Sequence, residues 1–245
     1  PTRELFIEKI DEYDLIVFDR YRLRGILPTA YLENVRDYVT RGGTVLVAAG
    51  PEFGTADSLW RSPLADILPV DTTSRVLEGG FRPKLTDLGQ RHPVTQGLEA
   101  LGPKDGWGRW FRLMDVITRS GQVVMSGPGD RPLLVLDRVG EGRIAVLASD
   151  QIWLWGRGYE GGGPQLELLR RLAHWMLKEP DLEEENLTAT AVGQAVTFTR
   201  RTILDTPPGP LQITGPDGAV VPLELPQVGP GRFVAEWQAP SLGLY

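Results

Sequence analysis

A strand, a helix and a second strand follow one another near the start of the chain, and this order limits the folds that the sequence can adopt. Residues 14–19 are a short apolar run between two acids, too short for a helix. Pro28 begins a segment with apolar residues at helical spacing, and Gly42-Gly43 ends it. A β-branched run at 44–49 follows directly, so the two strands should lie parallel in one sheet. We therefore expect an α/β domain.

The rest of the first domain is predicted to add strands and a closing helix. Strand-like apolar runs occur at 122–125, 133–136 and 143–148. The tight turn at 140–142 joins the last two runs as a hairpin. A broad apolar stripe over 164–176 predicts a helix. Residues 72–95 mix strand-like residues with glycines and prolines, so long loops are expected there. The first domain is predicted to span residues 1–180.

An acidic hinge at 181–185 separates this domain from a region with a different pattern of residues. Five short β-branched and aromatic runs, punctuated by Pro and Gly, follow at 187–190, 195–199, 211–214, 220–225 and 233–237. This pattern is typical of an antiparallel, immunoglobulin-like β-sandwich. Because Ser241 to Tyr245 resembles the approach to a further strand, we expect the sandwich at 186–245 to be partial. The start at Pro1 rather than Met is interpreted in the same way, as a boundary within a larger protein.

Composition excludes several classes of function. The chain has no Cys, which excludes disulfides, thiolate metal sites and cysteine nucleophiles. It has two histidines, far apart in sequence, so no metal site and no cofactor are predicted. A formal net charge of −6 without a basic aromatic cluster argues against nucleic acid as a partner. No apolar run approaches the roughly 20 residues that a membrane span needs, so no membrane insertion by this fragment is expected.

Four motifs stand in a characteristic order: VTRGG at 39–43, AAGP at 48–51, HPVTQGL at 92–98 and GRIAVLASD at 142–150. Together they resemble the class I glutamine amidotransferase-like proteins, in particular the trehalose-utilisation-like members and the amidotransferase domains of large bacterial membrane proteins. The resemblance covers about the first three-quarters of the chain. It implies a mostly parallel, flavodoxin-like sheet with flanking helices. It also implies a soluble fragment of a membrane-anchored bacterial protein, with the periplasmic side favoured.

The resemblance places the family's chemistry at a turn that lacks a nucleophile here. In amidotransferases of this type a Cys stands on a sharp strand-to-helix turn, activated by a His. The equivalent turn, Ala49-Gly50-Pro51-Glu52, offers no thiol, hydroxyl or amine, so a covalent acyl intermediate is not available by that route. We therefore expect the chain not to be an enzyme.

A candidate pocket nevertheless follows from the rule that open α/β sheets bind ligands at the carboxyl ends of their strands. It comprises Gly50, Glu52, His92 and Asp150. Glu52 could act as a general base with His92 nearby. The alternatives are that Glu52 is a solvated turn residue and that His92 hydrogen-bonds a loop backbone, since Pro93 holds it extended.

Aromatic residues mark a second candidate region. Trp107, Trp110, Trp153, Trp155 and Arg157 could form a ligand platform through stacking and cation-π contacts. They could equally form a protein interface, where large aromatics are enriched, and we favour the interface.

The sequence therefore supports two alternative functions. The first is a non-catalytic amidotransferase-like interaction or scaffold module, whose partner is another domain of the same parent protein or a separate protein. The alternative is a domain that binds a sugar or small polar ligand, or a residual hydrolase, using the pocket at the strand ends.

Overall fold

A computed structural model describes residues 2–245, so Pro1, the first residue of the predicted first domain, lies outside the described residues. The α-helices are α1 (Thr29–Thr40), α2 (Asp87–Arg91), α3 (Trp153–Gly156) and α4 (Gln165–Met176). The first eight strands are β1 (Ile16–Asp19), β2 (Thr44–Ala48), β3 (Val70–Phe81), β4 (Lys84–Leu85), β5 (Trp110–Thr118), β6 (Gln122–Ser126), β7 (Pro132–Val139) and β8 (Gly142–Leu147). The remaining strands are β9 (Asn186–Val192), β10 (Ala195–Arg201), β11 (Leu211–Thr214), β12 (Val220–Leu223), β13 (Gln227–Gly229) and β14 (Arg232–Gln238).

The main sheet has six strands in the order β1-β2-β8-β7-β6-β4. Strands β1, β2 and β8 pair in parallel, which confirms the predicted β-α-β unit. The predicted hairpin forms β7 and β8, and from β8 onward the pairing is antiparallel. The sheet is therefore mixed, and its parallel part is smaller than the resemblance implied, because a two-residue turn can join only antiparallel neighbours.

A second, two-stranded sheet lies beside the main one. Strands β3 and β5 pair antiparallel, and the register shifts twice along β3. The amide of Met114 on β5 donates to the carbonyl of Ala148, 2.8 Å away, so β5 reaches the carboxyl end of β8. Long loops were expected over 72–95, whereas β3 continues to Phe81. The irregular register interrupts the alternation that identifies a strand in sequence.

Helices α1 and α4 cover the main sheet with apolar side chains. Leu32, Val35 and Val39 of α1 and Leu172 and Trp175 of α4 are all buried. At one point the helix and sheet approach so closely that only glycine fits. A Cβ at Gly142 would overlap the carbonyl oxygens of Val39 and Gly43. The end of α1 is therefore packed directly on the start of β8.

The last region is a small β-sandwich, as predicted. One sheet has the order β13-β14-β10-β9, and the other pairs β11 with β12. Leu225, Phe233 and Ala235 form its core, with Phe198 and Leu211 packed against them. The α/β class followed by a β-sandwich is thus confirmed.

The acidic segment between the two regions is tied to the first one by ion pairs. Glu183 pairs with Arg138, 2.7 Å away, and with Arg143, and Glu184 also pairs with Arg138. The indole Nε1 of Trp175 donates to Glu184 at 3.2 Å. The acids that marked a hinge in sequence therefore anchor the linker to β7, β8 and α4.

Residues 2–245 contain no helix with the length and apolar character needed to cross a bilayer.

Candidate functional site

The candidate site lies at the carboxyl ends of β1, β2 and β8. These three parallel strands end at Asp19, Ala48 and Leu147. After β2 the chain turns at Gly50 into a short 3-10 helix, Pro51–Gly54, which carries Glu52. Because the strand ends meet at one edge, Arg20, Glu52 and Asp150 come together although they are distant in sequence.

Charged side chains of opposite sign fill this edge. The Oδ2 atom of Asp150 lies 3.0 Å from Arg112 Nη1 and 3.4 Å from Arg20 Nε. Arg20 Nη2 also lies 3.9 Å from Glu52 Oε1. The Asp150 side chain is 5% exposed and that of Glu52 is 18% exposed, whereas the Arg20 side chain is 53% exposed. Arg20 therefore covers both carboxylates from the solvent side.

Gly50 allows Glu52 to fold back over the main chain. A Cβ at Gly50 would lie 2.6 Å from Glu52 Oε2 and 3.0 Å from Arg20 Cγ. The Oε2 atom of Glu52 is buried and has no hydrogen-bond partner within residues 2–245. A buried carboxylate oxygen usually has a partner, so this atom is free to accept a hydrogen bond from a ligand.

Backbone strain is present at the same edge. Arg20 has a φ of +49°, which is rare for a residue with a side chain. Its amide donates to the carbonyl of Ala48, 2.9 Å away, which holds it in this conformation. Such strain is found where a side chain must be directed into a site.

A second buried carboxylate lies beside the site on β5. The Asp115 side chain is fully buried and accepts hydrogen bonds from Thr73 Oγ1 at 2.8 Å and Arg75 Nη2 at 2.7 Å. It also pairs with Arg131. Burial raises the pKa of Asp115, but the hydrogen bonds and the Arg131 charge outweigh it, so the pKa lies below its usual value.

The structure separates His92 from the other three candidate pocket residues. His92 is buried after α2; its Nδ1 accepts from the Val94 amide at 3.2 Å, and its Nε2 lies 3.6 Å from Glu184 Oε1. Glu184 pairs with Arg138, which is opposite Arg143 at the start of β8. His92 therefore lies toward the amino end of the parallel strands, away from Asp150.

The protonation of His92 follows from its surroundings. Burial lowers the pKa of His92, and it outweighs the opposing effect of Glu184. The ring is therefore neutral, and Nδ1, which accepts from the loop backbone, carries no proton. Within the described chain, neither His92 nor His174 has a hydroxyl group as hydrogen-bond partner; His174 Nδ1 lies 2.5 Å from Glu179 Oε1.

Comparison with known proteins decides the family. Residues 8–159 match the sequence profile of the family described as "Putative glutamine amidotransferase". This chain belongs to the glutamine amidotransferase-like family. The match includes Arg20, Glu52 and Asp150 and ends before α4.

Two solved structures share the fold of this amidotransferase-like chain. Cytoplasmic Protein STM1381 from Salmonella typhimurium LT2 is 24% identical, with a TM-score of 0.57. Cytoplasmic Protein STM3548 from Salmonella typhimurium is 19% identical, with a TM-score of 0.56. In both cases the alignment covers 72% of this chain and 79% of the other. No curated protein sequence matches the chain.

The indoles of this amidotransferase-like chain are divided between its interior and its surface. Trp107, Trp110 and Trp155 are buried and pack on one another, with ring centroids 5.1 Å and 4.7 Å from that of Trp155. Trp155 Nε1 donates to the carbonyl of Gly108 at 2.8 Å. These three rings stabilise the core, because stacked indoles bury large apolar areas. Trp153, which is 54% exposed, is the indole of the predicted platform that faces solvent.

Arg157 is exposed shortly after Trp153, and Tyr159 is partly exposed two residues later. Trp153 follows Asp150 by three residues, just after the end of β8, so the exposed part of the predicted platform adjoins the candidate site. Among residues 2–245 no group of three or more His, Asp or Glu side chains is arranged to hold a metal ion.

The sequence did not predict the two arginines of the site or the buried Asp115 beside it. Arg20 and Arg112 carry no motif, and they were found only through their contacts with Asp150. Asp115 had a signal: it is the one acid in the apolar run 113–117, and an acid inside a buried strand requires partners.

Proposed function

We propose that this chain is a non-catalytic member of the amidotransferase-like family that acts as an interaction module of a larger, membrane-anchored bacterial protein. Its partner is another domain of the same parent protein or a separate protein. The observation that carries the proposal is the filled carboxyl edge of the sheet. Arginines cover the carboxylates at the place where this fold binds its ligands.

The chemistry available at this edge supports a non-catalytic role. Acyl transfer through a covalent intermediate needs an activated nucleophile, and the chain has no cysteine. Asp150 is buried beneath Arg20 and Arg112, so a substrate cannot approach it without breaking both ion pairs. The two histidines contact glutamates elsewhere and are not available to Glu52.

The exposed surface next to this edge supports the interaction role. Trp153 projects from α3, and Arg157 lies one turn further along the chain. Trp and Arg are the residue types that contribute most binding energy at protein interfaces.

Glutamine hydrolysis is the direct test of the non-catalytic role. Ammonia release from L-glutamine is measured for the wild type, for Glu52→Gln and for Glu99→Gln, an exposed control. We expect no release above the blank for any of the three. Turnover in the wild type and in Glu99→Gln that is lost in Glu52→Gln would overturn the proposal.

Hydrogen exchange tests the interaction role. The exchange of residues 153–159 is compared between the isolated chain and the parent protein. Slower exchange in the parent is expected, because amides at an interface are protected from solvent. Equal exchange in both would show that this surface does not contact the rest of the parent.

A second candidate function is binding of a small polar ligand, such as a sugar, or residual hydrolysis at Glu52. The observation that favours it is the unpartnered, buried Oε2 atom of Glu52. A ligand that binds only the folded chain raises its melting temperature. A thermal-shift series with L-glutamine and simple sugars therefore tests it: a shift in the wild type that Glu52→Gln removes supports this candidate, and no shift at any ligand concentration argues against it.

A further inference from the structure

Strand β9 forms one edge of the four-stranded sheet in the β-sandwich. It pairs with β10 over seven residues in unbroken register, from Asn186 opposite Arg201 to Val192 opposite Ala195. Its other side pairs with no strand in the described part of the chain. Such an edge presents unpaired N–H and C=O groups and is a template for another strand.

The hydrogen bonds of β10 show which backbone groups of β9 point outward. Thr202 N donates to Gly231 O at 2.9 Å, and Ala239 N donates to Gln194 O at 2.8 Å, so the even-numbered residues of β10 bond to β14. Bonding alternates along an antiparallel strand, so the odd-numbered residues of β10 bond to β9. In the register of the pair, this leaves the N–H and C=O groups of Leu187, Ala189 and Ala191 directed outward.

Two other edge strands of the sandwich, β13 and β12, carry features that block strand addition, whereas β9 does not. Strand β13 has three residues, an irregular register and a proline on each side, Pro226 and Pro230. Strand β12 contains Pro222. By contrast, no Asp, Glu, Lys, Arg or Pro occurs from Asn186 to Thr199. Charges and prolines are the usual protection of an edge, and β9 has neither.

An apolar cavity adjoins the same edge. It has a volume of about 460 Å³, and Ala189 and Ala191 line it together with Phe198 and Trp237. The side chains of Ala189 and Ala191 therefore face the cavity. Because both are alanines, they leave space for a larger apolar side chain.

We infer that β9 binds β9 of a second copy of this chain, in an antiparallel pair about a two-fold axis. Pairing centred on Ala189 would place Leu187 opposite Ala191 of the second copy and exchange six backbone hydrogen bonds. Leu187, which is 47% exposed in the single chain, would then lie on the cavity face next to alanine. No like charges meet, since the strand is uncharged.

Self-pairing satisfies both copies at once, because residues opposite each other in antiparallel strands lie on the same face. The cavity-facing sides of the two strands therefore lie on one face of the joined sheet, and on the other face Thr188 of each copy lies opposite Thr190 of the second copy. A two-fold pair also closes after two copies and does not extend into a fibre. The contact area of one strand edge is below the roughly 1,200 Å² of a stable interface, so the dimer should be weak and depend on concentration. This inference does not depend on the proposed function, because a catalytically active chain would have the same edge.

Sedimentation velocity over a wide concentration range tests the inference with the variants Ala189→Pro and Ala189→Ser. The amide of Ala189 points outward, so proline in both copies removes two of the six intermolecular hydrogen bonds and no intramolecular one. We expect concentration-dependent dimers for the wild type and for Ala189→Ser, and dimerisation at least about tenfold weaker for Ala189→Pro with an unchanged circular dichroism spectrum.

Amide hydrogen exchange of the wild type gives a second readout that needs no folded variant. Raising the protein concentration should slow exchange at Leu187, Ala189 and Ala191 but leave Thr188 and Thr190 unchanged, because these two already bond to β10. A chain that stays monomeric at every concentration overturns the inference. So does a dimer that persists in a folded Ala189→Pro variant or leaves the three amides unprotected, since it would use another surface.

Discussion

Replacing Glu184 by Gln tests how the acidic linker is held on the first domain. The Glu184 carboxylate is buried, pairs with Arg138 and accepts from Trp175 Nε1. Glutamine keeps the size and the acceptor for the indole but removes the charge. The variant therefore isolates the electrostatic contribution of one side chain.

The size of the effect follows from the pKa of Glu184. Burial raises this pKa, but the contacts with His92 and Arg138 outweigh it and lower the pKa from 4.5 to about 2. At about 1.4 kcal/mol per pKa unit, this corresponds to at most about 3.5 kcal/mol of stability at pH 7. Because Arg138 is half exposed and is shared with Glu183, we expect about 2 kcal/mol.

The pH dependence has a defined sign. A carboxyl whose pKa is lowered on folding stabilises the protein fully above its unfolded pKa, here about 4.5. The stabilisation falls as the pH drops toward the folded value of about 2, and less than half should remain at about pH 3. The difference in unfolding free energy between wild type and Glu184→Gln should therefore shrink over this window.

Urea unfolding followed by tryptophan fluorescence, at pH 7 and at about pH 3, measures this difference. Taking the difference between two variants cancels the contributions of the other carboxyl groups. Glu236→Gln, an exposed glutamate on β14, is the matched control and should change little. A wild-type to Glu184→Gln difference below about 0.5 kcal/mol at pH 7, or one that is the same at both pH values, would refute the reasoning.

Three other substitutions test the packing, the backbone and the second buried carboxylate. Gly142→Ala should lower stability by about 1–3 kcal/mol, because its Cβ would overlap the Val39 carbonyl. The control Gly209→Ala, with open space around its Cβ, should change stability by less than about 0.5 kcal/mol. Equal melting temperatures for the two variants would contradict this. Lys178→Gly should raise stability by about 1 kcal/mol, because Lys178 follows α4 with a φ of +60°, a conformation that glycine adopts without strain. Lys178→Ala keeps the strain and should give no gain in the same melting experiment. Asp115→Asn should cost about 1–3 kcal/mol in urea unfolding at pH 7. It should also remove a stabilisation that the wild type loses as the pH falls below about 4, since the pKa of Asp115 is lowered on folding.

The local pattern of the chain was sufficient to predict much of the fold. The β-α-β unit around Gly42-Gly43, the hairpin at 140–142 and the sandwich after 186 all formed as expected. Each depends on residues close in sequence: an apolar period, a helix-ending glycine or a tight turn. Two site residues, Glu52 and Asp150, were also predicted, because each directly follows a recognisable parallel strand.

The partners of these residues were not predictable in the same way. Arg112 meets Asp150 across 38 positions of sequence, and Arg20 meets it across 130. No local pattern specifies such a pair. The irregular register of β3 also hid the strand that supplies Arg75 to Asp115. Sequence likewise does not indicate whether a given tryptophan is buried, so buried Trp107 and Trp155 could not be distinguished from exposed Trp153.

The sequence by itself determined the order of helices and strands and the absence of thiol chemistry, because both depend only on which residues are present and how they are spaced. Tertiary structure decided which charges meet at the strand ends, that His92 lies apart from them, and which strand of the sandwich has an edge that pairs with no other strand of residues 2–245. These features arise when strands far apart in the chain pack together, and residue spacing does not encode that packing.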